Sequence, residues 1–134
     1  MLLPSEIESQ WIVPAVRSIV AQQLIRHYKF NQTEVAKLLG VTQAAINHYI
    51  SGSRAKNEVT KKIRRDKQIM SMINEIAESL NHNHQFTPRC MSIYIQLFNY
   101  ARQSLFICGI HKSLEKEIDD QLCKTCEKFI LKAL

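Results

Sequence analysis

Four cysteines and one histidine in this chain stand at spacings that could do chemistry. Cys123-Lys124-Thr125-Cys126 is a Cys-x2-Cys, and Cys108-Gly109-Ile110-His111 is a Cys-x2-His upstream of it. On a helix the two members of each pair share one side. Read together, Cys108, His111, Cys123 and Cys126 could hold a tetrahedral metal ion with three thiolates and an imidazole, a set that suits zinc. Cys90 offers a second scheme, four thiolates for zinc or an iron–sulfur cluster. It precedes Cys108 by 18 residues, about 27 Å along one continuous helix. One helix cannot bring both to the same ion, which favours His111 as fourth ligand, or no metal. Two other readings stay open. The thiols could be buried as small apolar groups, or they could form disulfides, with Cys90 as a partner. A redox-active Cys-x2-Cys normally opens a helix that follows a strand. No strand precedes this pair, so a thiol oxidoreductase is not expected. No Gly-rich phosphate loop, Ser/His/Asp set or paired carboxylates accompany the cysteines, so an enzyme is not expected either.

A second group lies between Gln32 and Gly52. Two helices that cross steeply over a short turn need particular residues at fixed offsets. A small residue must sit where the second helix packs, and Ala36 is there. The turn needs a residue tolerant of positive φ, and Gly40 follows four positions on. The next residue must plug the angle between the helices, which Val41 does. The second helix must turn apolar residues inward, and Ile46, Tyr49 and Ile50 fit. Around them, Asn31-Gln32-Thr33-Glu34 reads as a capping box, and Thr42 as the N-cap of a helix from Gln43 to about Ser51.

This stretch resembles the phage-repressor type of helix-turn-helix, through Gln32, Ala36, Gly40, Val41, Ile46, Ile50 and Gly52. Together with the opening Leu-Pro-Ser-Glu-Ile-Glu-Ser and Trp-Ile-Val-Pro-Ala-Val-Arg, it resembles archaeal predicted transcriptional regulators over residues 3–54. Those proteins pair such a helix-turn-helix with a cysteine-bearing helical tail. The resemblance implies transcriptional regulation, with the second helix in the major groove of duplex DNA. Thr42, Gln43, Ala44, Asn47 and His48 then face base edges. Amides such as Gln43 and Asn47 bind adenine in a bidentate manner, and Ala44 can touch a thymine methyl. Gln32 opens the first helix of the pair, where its N–H groups could meet a phosphate. Arg54, Lys56, Lys61 and Lys62 are expected to contact the DNA backbone, which sets affinity more than sequence preference.

The elements that must position these groups read as helices. The chain has 134 residues, three glycines and three prolines, little more than a third of the usual share of about 12% for the two. Sandwiches, barrels and propellers need a turn roughly every ten residues, so β folds are excluded. Pro14 either opens the first long helix, continued by Val16, Ile19, Val20 and Leu24, or kinks a longer one. A helix is expected from Lys56 to Leu80, then one from Thr87-Pro88 through Met91, Tyr94, Ile95, Leu97, Phe98, Ala101 and Leu105 until Gly109 breaks it. A last one, capped by Ser113, carries Leu122, Phe129 and Ile130. Hydrophobic residues at 46% and charged residues at 22% describe an ordinary globular protein. No run approaches a membrane span, and the start lacks a secretory leader. A cytoplasmic protein is expected.

The net charge of +6 is unevenly placed. Residues 1–67 carry 11 Lys and Arg against 5 Asp and Glu, while residues 68–134 carry 7 of each. A basic half beside a neutral half fits a polyanion-binding module joined to an assembly or sensing module. The expectation is an all-α protein. Residues 1–55 would form a helix-turn-helix DNA-binding domain, and residues 56–134 a helical dimerisation and sensing region. The protein would bind DNA as a homodimer and respond to metal or redox state. The alternative is a protein-interaction module whose cysteine-bearing tail is the functional site.

Overall fold

A computed structural model of the chain describes residues 1–51 and 54–132, leaving aside the side chains of 54–56. Every regular element among them is helical. In chain order these are α1 (Pro4–Ile7), a π-helical turn (Glu8–Ile12), α2 (Val13–Arg26), α3 (Gln32–Leu39), α4 (Gln43–Ser51), α5 (Arg54–Arg65), α6 (Lys67–Asn83), α7 (Pro88–Gln103), α8 (Phe106–Leu114) and α9 (Asp120–Lys132).

Pro14 does not open a helix but lies within a longer helical run from Pro4 to Arg26, as the second expectation has it. It stands second in α2, with helical backbone on both sides. A proline there removes one N–H and crowds the carbonyl four residues back. The π-helical turn just before it widens the ladder, with Val13 N–H donating to the Glu8 carbonyl, and absorbs that misfit.

α2 is the axle of the molecule and packs against α3, α4, α5 and α6. Val16, Ile19, Val20 and Leu24 are fully buried on it. They join Val35 of α3, Ile46 of α4, Ile63 of α5, Ile69, Ile73 and Ile76 of α6, Leu97 of α7 and Ile107 and Ile110 of α8 in one continuous apolar cluster. Glu8 and Arg102, far apart in sequence, meet in a two-pronged ion pair, with Nη2 to Oε2 at 2.7 Å. This pins the π-helical turn to the end of α7.

Three boundaries differ from expectation. The helix expected over Lys56–Leu80 is two helices, because Asp66 leaves helical geometry (φ −86°, ψ 109°) and accepts a hydrogen bond from Ile69 N–H at 3.0 Å, capping α6. Tyr100 Oη donates to the same carboxylate at 3.3 Å. Gly109 breaks nothing and lies inside α8. The break falls at Ser104 and Leu105, where Leu105 adopts the left-handed conformation (φ 59°). Ser113 also lies within α8, its hydroxyl donating to the Ile110 carbonyl at 2.7 Å. Asp119 caps the last helix instead, accepting from Gln121 N–H at 2.7 Å.

The face of α7 is corrected too. Met91 and Ile95, expected on the buried stripe, are half exposed, at 50% and 53%. The core face is Cys90, Ile93, Leu97 and Ala101. α7 therefore has two apolar faces.

Candidate nucleic-acid interface and the cysteine cavity

The corner between α3 and α4 is built from local chemistry. Asn31 Oδ1 accepts from Glu34 N–H at 2.8 Å, and Glu34 Oε1 accepts from Asn31 N–H at 3.2 Å, closing the capping box. α3 ends at Gly40 in the left-handed region (φ 66°, ψ 34°). Val41 N–H donates to the Ala36 carbonyl at 3.0 Å and Gly40 N–H to the Lys37 carbonyl at 3.3 Å. This is the paired-bond ending that a left-handed residue permits. Thr42 Oγ1 then accepts from Ala45 N–H at 3.1 Å and starts α4.

α4 is held by its inner face. Ile46 is fully buried and Tyr49 half-buried. Ser18 of α2, itself buried, donates its hydroxyl to the Tyr49 carbonyl at 2.8 Å. Ile50 departs from expectation and is 41% exposed. At 100° per residue it is rotated about 70° from the midline of Ile46 and Tyr49, and so swings past the α2 contact.

The opposite face is exposed. Thr42, Gln43, Ala44, Asn47 and His48 are all exposed and lie together along the N-terminal two turns of α4. Gln32 is half-buried at the first position of α3. Lys61 is exposed on α5 and pairs with Glu58 at 3.4 Å. Asn57 and Thr60 of α5 share a small cleft with His48 and Tyr49. Lys62 stands apart, in a cavity with Arg65, Phe106 and Gly109 beside α8. The side chains of Arg54 and Lys56, and Gly52 as the end of α4, lie outside the described residues.

Sequence reasoning missed Ser18. It also missed Arg64, whose Nη2 donates to Gln22 Oε1 at 2.6 Å and ties α5 to α2. A basic residue in a charge run carries no mark of a partner 42 positions away.

Cys108 and His111 of α8 and Cys123 and Cys126 of α9 line one cavity of about 280 Å³, closed by Leu2 and Pro4. Cys90 is buried in the core, outside that cavity. All four thiols are free. Among the described residues no three His, Cys, Asp or Glu side chains stand close enough together to hold a metal ion. Burial, then the Cys126 thiol, the Glu127 carboxylate and the Cys123 thiol, push the Cys108 thiol above its ordinary value, and Lys112 opposes them. Burial, then Cys123 and Glu127, push Cys126 up as well. Such thiols stay protonated near neutral pH and are poor nucleophiles. His111 Nε2 lies 3.3 Å from Glu115 Oε2, and the other oxygen of that carboxylate accepts from Leu2 N–H at 2.6 Å.

Residues 22–63, from the second half of α2 to the end of the buried stretch of α5, match the helix-turn-helix family. These residues thus form a helix-turn-helix domain of phage-repressor type, set near the start of an all-helical chain. No curated protein and no solved structure matches the chain. No helix among the described residues is long and apolar enough to cross a membrane.

Proposed function

We propose that this protein is a sequence-specific, DNA-binding transcriptional regulator. The observation that carries the reading is the exposed row Thr42, Gln43, Ala44, Asn47 and His48 on a helix whose other face is locked into a matched helix-turn-helix. The row presents two amides, a methyl, a hydroxyl and an imidazole, the groups that read major-groove edges. Lys61, exposed on α5, supplies charge toward the phosphate backbone, as Arg54 and Lys56 are expected to do. The helix-turn-helix match over residues 22–63 supports the same reading.

The experiment is selection of bound fragments from genomic DNA, followed by binding at low and high salt. Gln43→Ala is expected to change sequence preference, whereas Lys61→Ala weakens all sites about equally and flattens the salt dependence. Equal losses from both changes on selected and random duplex would overturn the assignment. Binding that ignores salt would favour the protein-interaction alternative.

Two finer points belong to this proposal. The protein acts as a homodimer, because one small reading head buries little DNA surface. α9 supports this: it buries no residue fully and leaves Leu122 and Phe129 at 50% and 62% exposure. The cavity shared by Cys108, His111, Cys123 and Cys126 is a redox- or metal-responsive site, and holding an ion requires α8 and α9 to draw closer than they stand in this structure, where no three of these side chains are near enough to bind one. The carboxylate on His111 is the partner that a ligating imidazole usually has. Zinc titrated against a chromogenic chelator is expected to bind at one equivalent per chain and to be lost in Cys123→Ser. No binding in either protein would remove the metal reading.

A further inference from the structure

The second apolar face of α7 is half exposed and lines a groove of about 330 Å³ whose other walls come from α2, the end of α3 and Phe86 of the α6–α7 loop. Leu39, Phe86, Met91, Tyr94 and Phe98 make it apolar, and Arg17 is the only charged residue among its walls. Small-molecule pockets have this size and this composition, mostly apolar with few polar groups.

The charge around it is one-sided. A second cavity of about 510 Å³ shares Arg17, Leu39 and Phe86 with the first and adds Lys37 and His84. No carboxylate lines either space. Among the described residues Arg17 has no ion-pair or hydrogen-bond partner, only the electrostatic influence it exerts on Tyr94. Its neighbour in sequence, Ser18, is by contrast engaged with Tyr49. Phe86 stacks on Tyr94 at 5.9 Å between ring centroids. Burial pushes the Tyr94 phenol up to about 12, against Arg17, so it remains a hydrogen-bond donor throughout the physiological range.

We propose that this cavity is an effector site for a small carboxylic acid with an apolar body. The carboxylate pairs with the Arg17 guanidinium and the body lies along Leu39, Phe86, Met91 and Phe98. The site touches the reading head directly, because one of its walls is Leu39, the last residue of α3 before the Gly40 corner. An occupant that fits better with one setting of that corner changes DNA affinity, and DNA changes acid affinity by the same factor. This regulatory half rests on the DNA-binding reading. The binding half does not.

The test is calorimetric titration of the full chain, without DNA, with octanoate and 3-phenylpropionate and with the corresponding alcohols. The acids are expected to bind about tenfold more tightly than the alcohols, the usual margin of a charge-assisted pair. Arg17→Gln is expected to erase that margin while leaving the helical circular dichroism unchanged. Equal affinities for acid and alcohol, or an Arg17→Gln protein that still prefers acids, would overturn the site. A groove filled by a second copy would instead show no acid binding and a dimer that Ile95→Glu dissociates, and that too would overturn it. A parallel DNA titration with and without acid tests the coupling. Acid binding with no change in measurable DNA affinity would overturn regulation alone. Acid binding by a protein that binds no DNA would sink the DNA reading and leave the pocket standing.

Discussion

At the scale of single residues, Gly40 shows what local chemistry dictates. Its φ of 66° is needed for both bonds that end α3, yet a Cβ added there would meet nothing within 4 Å. The cost of a side chain is therefore conformational and not steric. Gly40→Ala is expected to lower stability by about 1–2 kcal/mol, and Gly40→Asn by less, because asparagine tolerates this region. Urea denaturation of the three proteins checks the order; an alanine variant as stable as the parent would contradict the corner. This position was legible in the sequence, as were Asn31, Glu34 and Thr42, because each acts on a neighbour within four residues. Ser18, Arg64 and Arg17 were not. Ser18 and Arg64 have their partners on other helices and Arg17 has none among the described residues, and nothing in their immediate context distinguishes them from ordinary helix residues. Ile50 was misread because a helix of two and a half turns has room for only one inward pair at its end.

At the scale of elements, the all-helical fold and the α3–α4 pair followed from apolar periodicity and caps, whereas the breaks at Asp66 and Leu105 did not. The first left a trace: no apolar residue stands between Ile63 and Ile69, a gap wider than one helical stripe allows. The second left none, because leucine gives no sign of left-handed backbone. α7 was read as one stripe because Met91, Tyr94, Ile95 and Phe98 outweigh Ile93, although the smaller set is the buried one. The placement of α4 depends on a bond made from outside it. Ser18→Ala removes the donor to the Tyr49 carbonyl and is expected to cost about 1 kcal/mol of stability. It should also weaken DNA binding, because α4 loses its polar anchor to α2 while its exposed row is untouched. Thermal denaturation and binding to a selected duplex measure the two effects. Lost binding with unchanged stability would point to Ser18 itself touching DNA.

At the scale of the whole molecule, two sites carry different chemistry, the reading row on α4 and the cysteine cavity between α8 and α9. The cavity was partly legible. Spacing put Cys108, His111, Cys123 and Cys126 on common helix sides, and the fold brings those helices together. Spacing could not show that Cys90 is packed into the core. The proposed homodimer makes a prediction here. If α9 is the contact, Phe129→Glu is expected to give a monomer by light scattering at micromolar concentration and to bind only half-sites. A variant that remains dimeric would move the contact elsewhere.

One feature ties these scales together. The apolar cluster runs unbroken from Ile7 to Ile110, and α2 stands in it with four other helices around it. The reading head has no private core to retain if the rest of the chain melts. Heat should therefore dissolve the molecule in one cooperative step, with calorimetric and van't Hoff enthalpies equal, and any occupant of either cavity should raise the melting temperature of the DNA-reading helix along with its own walls.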